Sequence, residues 1–357
     1  MKTYIKFLSI IFFKSFFYVT LVMLSLVFIL NIISELEFFN EINVGVDFTL
    51  LLSLLNSPSM IFEMFPFIFL ITTQFFFIKL FNNNELEVFK YSGLKNSNIL
   101  KIISIISFIS GVIIIIIFYN FSANLKNFYL EKKSQYTTDG KYLAVITKNG
   151  LWIKDEIDEK IYIINSSKID NNFLINNFIT EFNNKFEVLR NIQSERIDIK
   201  KKKWIILDAK VYDKNNYEVK KILKLKSNFD YKRIKSLYSN LSSLTLFELR
   251  KLKRDYKELG YSSIEIDAQN HKLYSFPFFI VLMTLFSGII MINIGYNKSK
   301  LMHLIIGIFF SVTIYYFTYF SHTLGENEKI PVILSIWMPL VLLTLLCSVG
   351  LVKINDK

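Results

Sequence analysis

Six long apolar runs, three before and three after a polar stretch, set the organisation of this chain. The first three cover residues 15–33, 64–78 (reaching back toward Pro58) and 102–123; the last three cover 273–297, 301–324 and 330–352. A helix needs roughly 20 mainly apolar residues to cross the hydrocarbon core of a bilayer. Only helices and closed barrels satisfy their backbone groups there. The pattern predicts an α+β membrane protein with six transmembrane helices, three and three, around one large insert. Residues 1–122 hold the first three spans, 123–272 the insert with its connecting helices, and 273–357 the last three.

After a helical continuation over 124–134, the period of the insert changes from helical to alternating. Eight segments, 141–147, 151–154, 160–165, 173–182, 185–190, 196–200, 204–213 and 217–225, are rich in Ile, Val, Tyr and Phe and separated by turn residues. Asn149-Gly150 is a hairpin signal. Such a set predicts a sandwich, jelly roll or partly open barrel, with one apolar and one polar face per strand. A helix over 244–259 should follow, with Leu246, Leu249, Leu252, Tyr256 and Leu259 on one side and Gly260 as its stop. A second, over 264–271, leads straight into the fourth span.

Within the membrane portion, Pro58 is placed to begin the second helix, since a first-turn proline loses no intrahelical bond. Glu63 then falls in the first turns and Pro66 loosens the same helix. Pro331 opens the sixth span and Pro339 kinks it. Between spans two and three, residues 84–93 spell a short helix: Asn84 as N-cap, Glu85 and Glu87 in the first turn, Leu86 and Phe89 as apolar contacts, Gly93 as stop.

Composition agrees with a membrane protein: 52% of the 357 residues are hydrophobic, including 36 Phe. The net charge of +12 resides mostly in residues 123–272, which hold 30 Lys and Arg against 20 Asp and Glu. With a cytoplasmic N-terminus, eleven lysines of the short segments fall inside and only Lys329 outside, a strong positive-inside bias. Both termini are therefore expected in the cytoplasm and the insert outside, where nucleic acid is no partner. The first run is too long for a cleaved signal peptide. The one cysteine, Cys347, excludes an intrachain disulfide or CxxC pair.

Candidate chemistry is sparse. No phosphate-binding loop, dinucleotide fingerprint, HExxH or GxSxG occurs, so no catalytic residue, metal site or directly bound cofactor is expected. Glu63 reads either as an interfacial acid or as a substrate or proton site. Residues 200–203 read as a solvated turn or an anion contact, and His303 and His322 as interfacial groups. Few ionisable groups lie at mid-membrane depth, so transport energy should come from another subunit.

Taken in order, Asn84-Glu85-Leu86 through Ser92-Gly93, Ser57-Pro58, Phe65-Pro66 and Gly150-Leu151-Trp152-Ile153-Lys154-Asp155 resemble the LptF/LptG permeases of lipopolysaccharide export, LptG more than LptF. The resemblance implies pairing with LptF, an LptB ATPase dimer that hydrolyses ATP, and a periplasmic jelly roll delivering lipopolysaccharide to an LptC/LptA bridge. It also implies ATPase coupling through Glu85, Leu86, Phe89 and Gly93. Substrate-path candidates are Asn31, Glu35, Glu63, Phe65, Trp152 and Trp204. One departure stands out: residues 31–41 hold three acids, Glu35, Glu37 and Glu41, and no lysine, where LptG relatives carry lysines suited to lipid A phosphates. Rival classes are a permease for another envelope lipid and a membrane-anchored scaffold.

Overall fold

Helices α1 (Thr3–Phe38), α2 (Val46–Asn82), the short α3 (Glu85–Tyr91) and α4 (Asn96–Lys133) precede the insert. In this computed structural model the described residues are 3–40, 44–133, 136, 151–157, 160–170, 172–213, 216–231, 234, 240–258, 262–294 and 300–355. After the sheet come α5 (Leu246–Glu258), α6 (Ile264–Ile294), α7 (Lys300–Glu326) and α8 (Val332–Asn355). Six of these, all except α3 and α5, are long and apolar enough to cross a membrane. The chain divides into two compact units, residues 1–126 with 264–357, and residues 127–263.

In the first unit α2 and α6 form the centre, each 67% buried over its most apolar window, whereas α1 and α7 are only 22% buried. Apolar attraction between helices is weak in lipid, so close packing and polar links hold such a bundle. Gly111 of α4 lies where a Cβ would stand 3.0 Å from Pro277 of α6. Thr284 Oγ1 donates to Ser107 Oγ at 3.0 Å, Ser287 Oγ to Leu70 O at 2.8 Å, and Gln74 Nε2 to His303 O at 2.9 Å. Helix α1 packs mainly on α2 and buries Ser15, Val19, Met23, Val27, Asn31 and Glu35, a stripe with a four-residue step.

Two expectations are corrected here. Pro58 does not begin α2: the helix starts at Val46 after Gly45, leaving both Pro58 and Pro66 inside it. Leu52, Ser53, Leu55 and Ser57 are all buried, and packing of that continuous face outweighs the ladder bond the proline removes. Glu63 consequently lies deep in the helix and not in its first turns. Helix α4 runs unbroken past the membrane run, as expected, with a π segment at Ile114–Tyr119 whose widened turn ends on the buried Tyr119.

The second unit holds one antiparallel sheet, β1 (Leu151–Ile157), β2 (Lys160–Asp170), β3 (Phe173–Phe182), β4 (Val188–Asp198), β5 (Lys203–Asp213) and β6 (Asn216–Lys226), paired in chain order. The expected strands at 185–190 and 196–200 are a single strand. Asn191 to Glu195 look like a turn in sequence, but Ile192 and Ser194 continue the inward alternation. Of the expected β arrangements, the described strands show an open antiparallel sheet, a meander in chain order. The expected strand at 141–147 and the Asn149-Gly150 hairpin lie outside the described residues.

A crease crosses this sheet. Asn176 (φ 52°) and Asp208 (φ 47°) are left-handed, a conformation that Asn and Asp tolerate best among residues with a Cβ. At that level every ladder from β2 to β6 is interrupted: one rung is missing at Ser167–Asn176, at Asn176–Glu195 and at Asp208–Lys221, and two between β4 and β5, at Ser194–Ala209 and Glu195–Asp208. The alternation also shifts phase: Leu174 and Asn177, Ser194 and Ile197, Ile206 and Ala209 are buried three apart. Ser194 Oγ fills the gap, accepting from Arg196 N at 3.2 Å and donating to Leu207 O at 2.6 Å.

Asp155 ties the sheet's first strand to the segment leaving its last. The buried carboxylate accepts from Ser227 Oγ (2.7 Å), Asn228 N (3.0 Å) and Asn228 Nδ2 (2.8 Å). The next residues are held by Trp204 of β5, whose Nε1 donates to Phe229 O at 2.8 Å, and by Ile199 just past β4, whose carbonyl accepts from Tyr231 N at 2.8 Å. The sheet is thus curled toward itself and bolted at one end.

Candidate functional site

At the insert-side end of the membrane unit, four helices bring charges together. Phe62 of α2 stacks on Phe276 of α6 at 4.7 Å and lies 4.9 Å from Tyr119 of α4. The next residue, Glu63, is exposed beside this aromatic cluster. Its field acts on Lys126 of α4 and Tyr315 of α7, while that of Lys272 of α6 acts on Lys126 and on His322 of α7. Among the described residues none of these charges closes an ion pair, and the buried Nε2 of His322 has no hydrogen-bond partner. Two cations, an acid and an imidazole thus lie within electrostatic reach of their neighbours here without a direct ion pair among the described residues. Sequence reasoning singled out Glu63 and missed Lys126 and Lys272. The signal was present: each is the lysine nearest the insert-side end of its apolar run.

The other path candidates separate. Asn31 is a clasp: its Nδ2 donates to Ser57 Oγ and its Oδ1 accepts from Asn56 Nδ2, both at 3.1 Å. Glu35, expected on the outer surface, is buried, because it continues the α1 stripe one step beyond Asn31. Glu37 is exposed, and Glu41 lies outside the described residues. Phe65 is core, stacked on Phe16 at 6.2 Å and edge-on to Phe118 at 5.2 Å. Trp152 is 51% exposed, whereas Trp204 has no exposed surface. Trp204 therefore bolts the sheet and offers no wall to a substrate in this conformation.

Helix α3 has two faces. Leu86 is buried and Phe89 packs edge-on to Phe7 of α1 at 6.0 Å, so both hold the helix to its own chain. Val88 (60% exposed) and Tyr91 (90% exposed) form the outward face. Asn84 is not the side-chain cap expected of it: it is left-handed, and Asn83 Nδ2 instead donates to Glu85 Oε1 at 3.0 Å. Glu85 Oε2 is buried without a partner among the described residues. The stop at Gly93 is as expected. With φ 79°, it lets Gly93 N donate to Lys90 O (3.0 Å) and Leu94 N to Phe89 O (2.9 Å), the paired bonds of a Schellman motif.

In the sheet, Glu181 is buried between Lys160 Nζ at 2.7 Å and Arg190 Nε at 2.5 Å. Burial alone pushes its carboxyl up, but the hydrogen bonds and charges of Lys160 and Arg190 outweigh burial and hold it below the usual carboxylate range. The same contact raises Lys160. This clamp locks β2, β3 and β4 in register.

Comparison with curated proteins gives no match. The family profile described as lipopolysaccharide export system permease LptF/LptG matches residues 8–353, nearly the whole chain. Its extent takes in all six spans and the sheet between them. The chain accordingly belongs to the LptF/LptG family and is a multi-pass inner-membrane permease of lipopolysaccharide transport.

Proposed function

We propose that this chain is one permease half of an ATP-driven exporter, extracting lipopolysaccharide from the outer leaflet of the inner membrane. Its termini and α3 lie in the cytoplasm and its sheet in the periplasm, in keeping with the lysine distribution. It pairs with the complementary LptF- or LptG-type permease. An LptB ATPase dimer docks against α3 and supplies the work of hydrolysis, and LptC and LptA carry the lipid onward.

The observation that carries this reading is α3 itself. A helix of seven residues that exposes Val88 and Tyr91 is built to be covered. The buried, unpartnered Glu85 Oε2 calls for a donor, which a basic residue of the ATPase groove provides. Truncating one side of such a pair leaves the other unpaired, at a typical cost of about 3–5 kcal/mol. Glu85→Lys should therefore abolish ATPase copurification while leaving membrane insertion intact. Normal copurification and normal ATP-driven export in that variant would remove α3 from the mechanism.

The cargo's anionic head group meets Lys126 and Lys272, which take the place of lysines absent from the end of α1. The acids there, with Glu63 acting on Lys126, favour a second reading in which the cargo is an envelope glycolipid of reduced negative charge. Mass spectrometry of lipid retained by the purified complex separates the two.

A further inference from the structure

Helix α5 carries a surface that neither the sheet nor the transport path uses. It opens with a capping box: Thr245 Oγ1 and Thr245 N both donate to Glu248 Oε2, at 2.8 and 2.9 Å, and Glu248 N returns to Thr245 Oγ1 at 3.4 Å. Leu249 and Leu252 are buried. On the opposite side Arg250, Lys251, Arg254 and Lys257 are exposed, with Phe247 among them, 73% exposed. At 100° per residue these five fall within a sector of about 120°. Glu248 is the one exposed acid among the described side chains of the helix, and the cap engages it.

We infer that this face of α5 docks on an anionic phospholipid surface. An aromatic ring centred among long cationic side chains is the pattern of a helix lying in a membrane interface: the ring enters the head-group layer while the ammonium and guanidinium groups meet phosphate. Covalent reach favours a membrane over a soluble acidic protein. Only residues 259–263 separate α5 from α6, a tether of at most about 20 Å, and α6 continues directly into an apolar span. The inference is independent of which lipid is transported, since it concerns the surrounding bilayer.

The test uses the full chain in nanodiscs of phosphatidylcholine alone or of phosphatidylcholine with phosphatidylglycerol. In a Cys347→Ser background, Phe247→Cys carries an environment-sensitive fluorophore, and quenchers sit on the lipid head groups. Quenching should rise with phosphatidylglycerol and fall with added salt. Reversing Arg250, Lys251 and Arg254 to Glu should weaken the surface contact about tenfold or more. Because the label replaces Phe247, amide exchange over 246–258 in the unaltered chain provides a second reading, with protection expected only in the anionic discs. Equal quenching and exchange in both membranes would overturn the inference. So would protection that appears only when a soluble periplasmic protein is added, which would make this face a protein interface.

Discussion

Substituting Gly93 isolates one term in the stability of α3. A Cβ added there meets nothing within 4 Å, while φ is 79°, so the cost is purely conformational. Holding a residue with a side chain in the left-handed region costs roughly 1–2 kcal/mol, and more for a β-branched residue. Escaping the strain by leaving that region breaks both Schellman bonds, each worth about 1 kcal/mol. Either route destabilises the end of the helix by about 2 kcal/mol in Gly93→Val, some thirtyfold in local opening. Gly93→Asn should cost clearly less, because Asn tolerates the left-handed region, with Gly93→Ala between them. Amide exchange over 84–95 in the purified chain reads local opening, and ATPase copurification reads its consequence. The same order, Asn least and Val most, is expected in both. Indistinguishable Asn and Val variants would refute the conformational argument.

Tyr91→Ala should leave the chain folded yet weaken ATPase association about thirtyfold, the scale of an aromatic hot spot. Leu86→Ala should act differently, loosening α3 from its own chain before any partner binds; exchange in the isolated permease separates the two. Exchanging Lys126 and Lys272 together for Gln should lower copurified lipid about tenfold or more, whereas Glu63→Gln should not; equal losses would contradict the proposed head-group seat. For Glu181 the folded carboxyl lies below the ordinary carboxylate value of 4.5, so its stabilisation is present above that value and is lost as pH falls through the lower folded one. Acid-induced exchange in β2–β4 should therefore begin below about pH 4.5, and Glu181→Gln should remove that dependence.

Span number and order were legible because an apolar run of membrane length has few other uses. The face of each span was not. Residues on both sides of α1 are apolar, one side meeting protein and the other lipid, so hydrophobicity alone could not reveal the stripe that buries Glu35. Strand existence was legible from alternation, but Asn191 to Glu195 mimic a turn and concealed the continuity of β4. Turn chemistry identified Gly93 correctly, whereas Asn84 followed local geometry in place of its usual cap. The site was half legible. Glu63 stood out as an acid within an apolar helix, while Lys126 and Lys272 are marked in sequence only by their place at the ends of two apolar runs, and their proximity appears when α4 and α6 are brought side by side.

The crease across the sheet has a mechanical consequence. Two left-handed residues and the rungs missing from the ladders between β2 and β6 concentrate bending along a single line, so the halves on either side act as the covers of a book and the line as its spine. The gape of the covers depends on a few backbone torsions at Asn176 and Asp208, and ladder bonds away from the spine need not break as it widens. Asp155 is the clasp. A sheet hinged in this way changes its curvature at the energetic cost of a turn and without unfolding a strand.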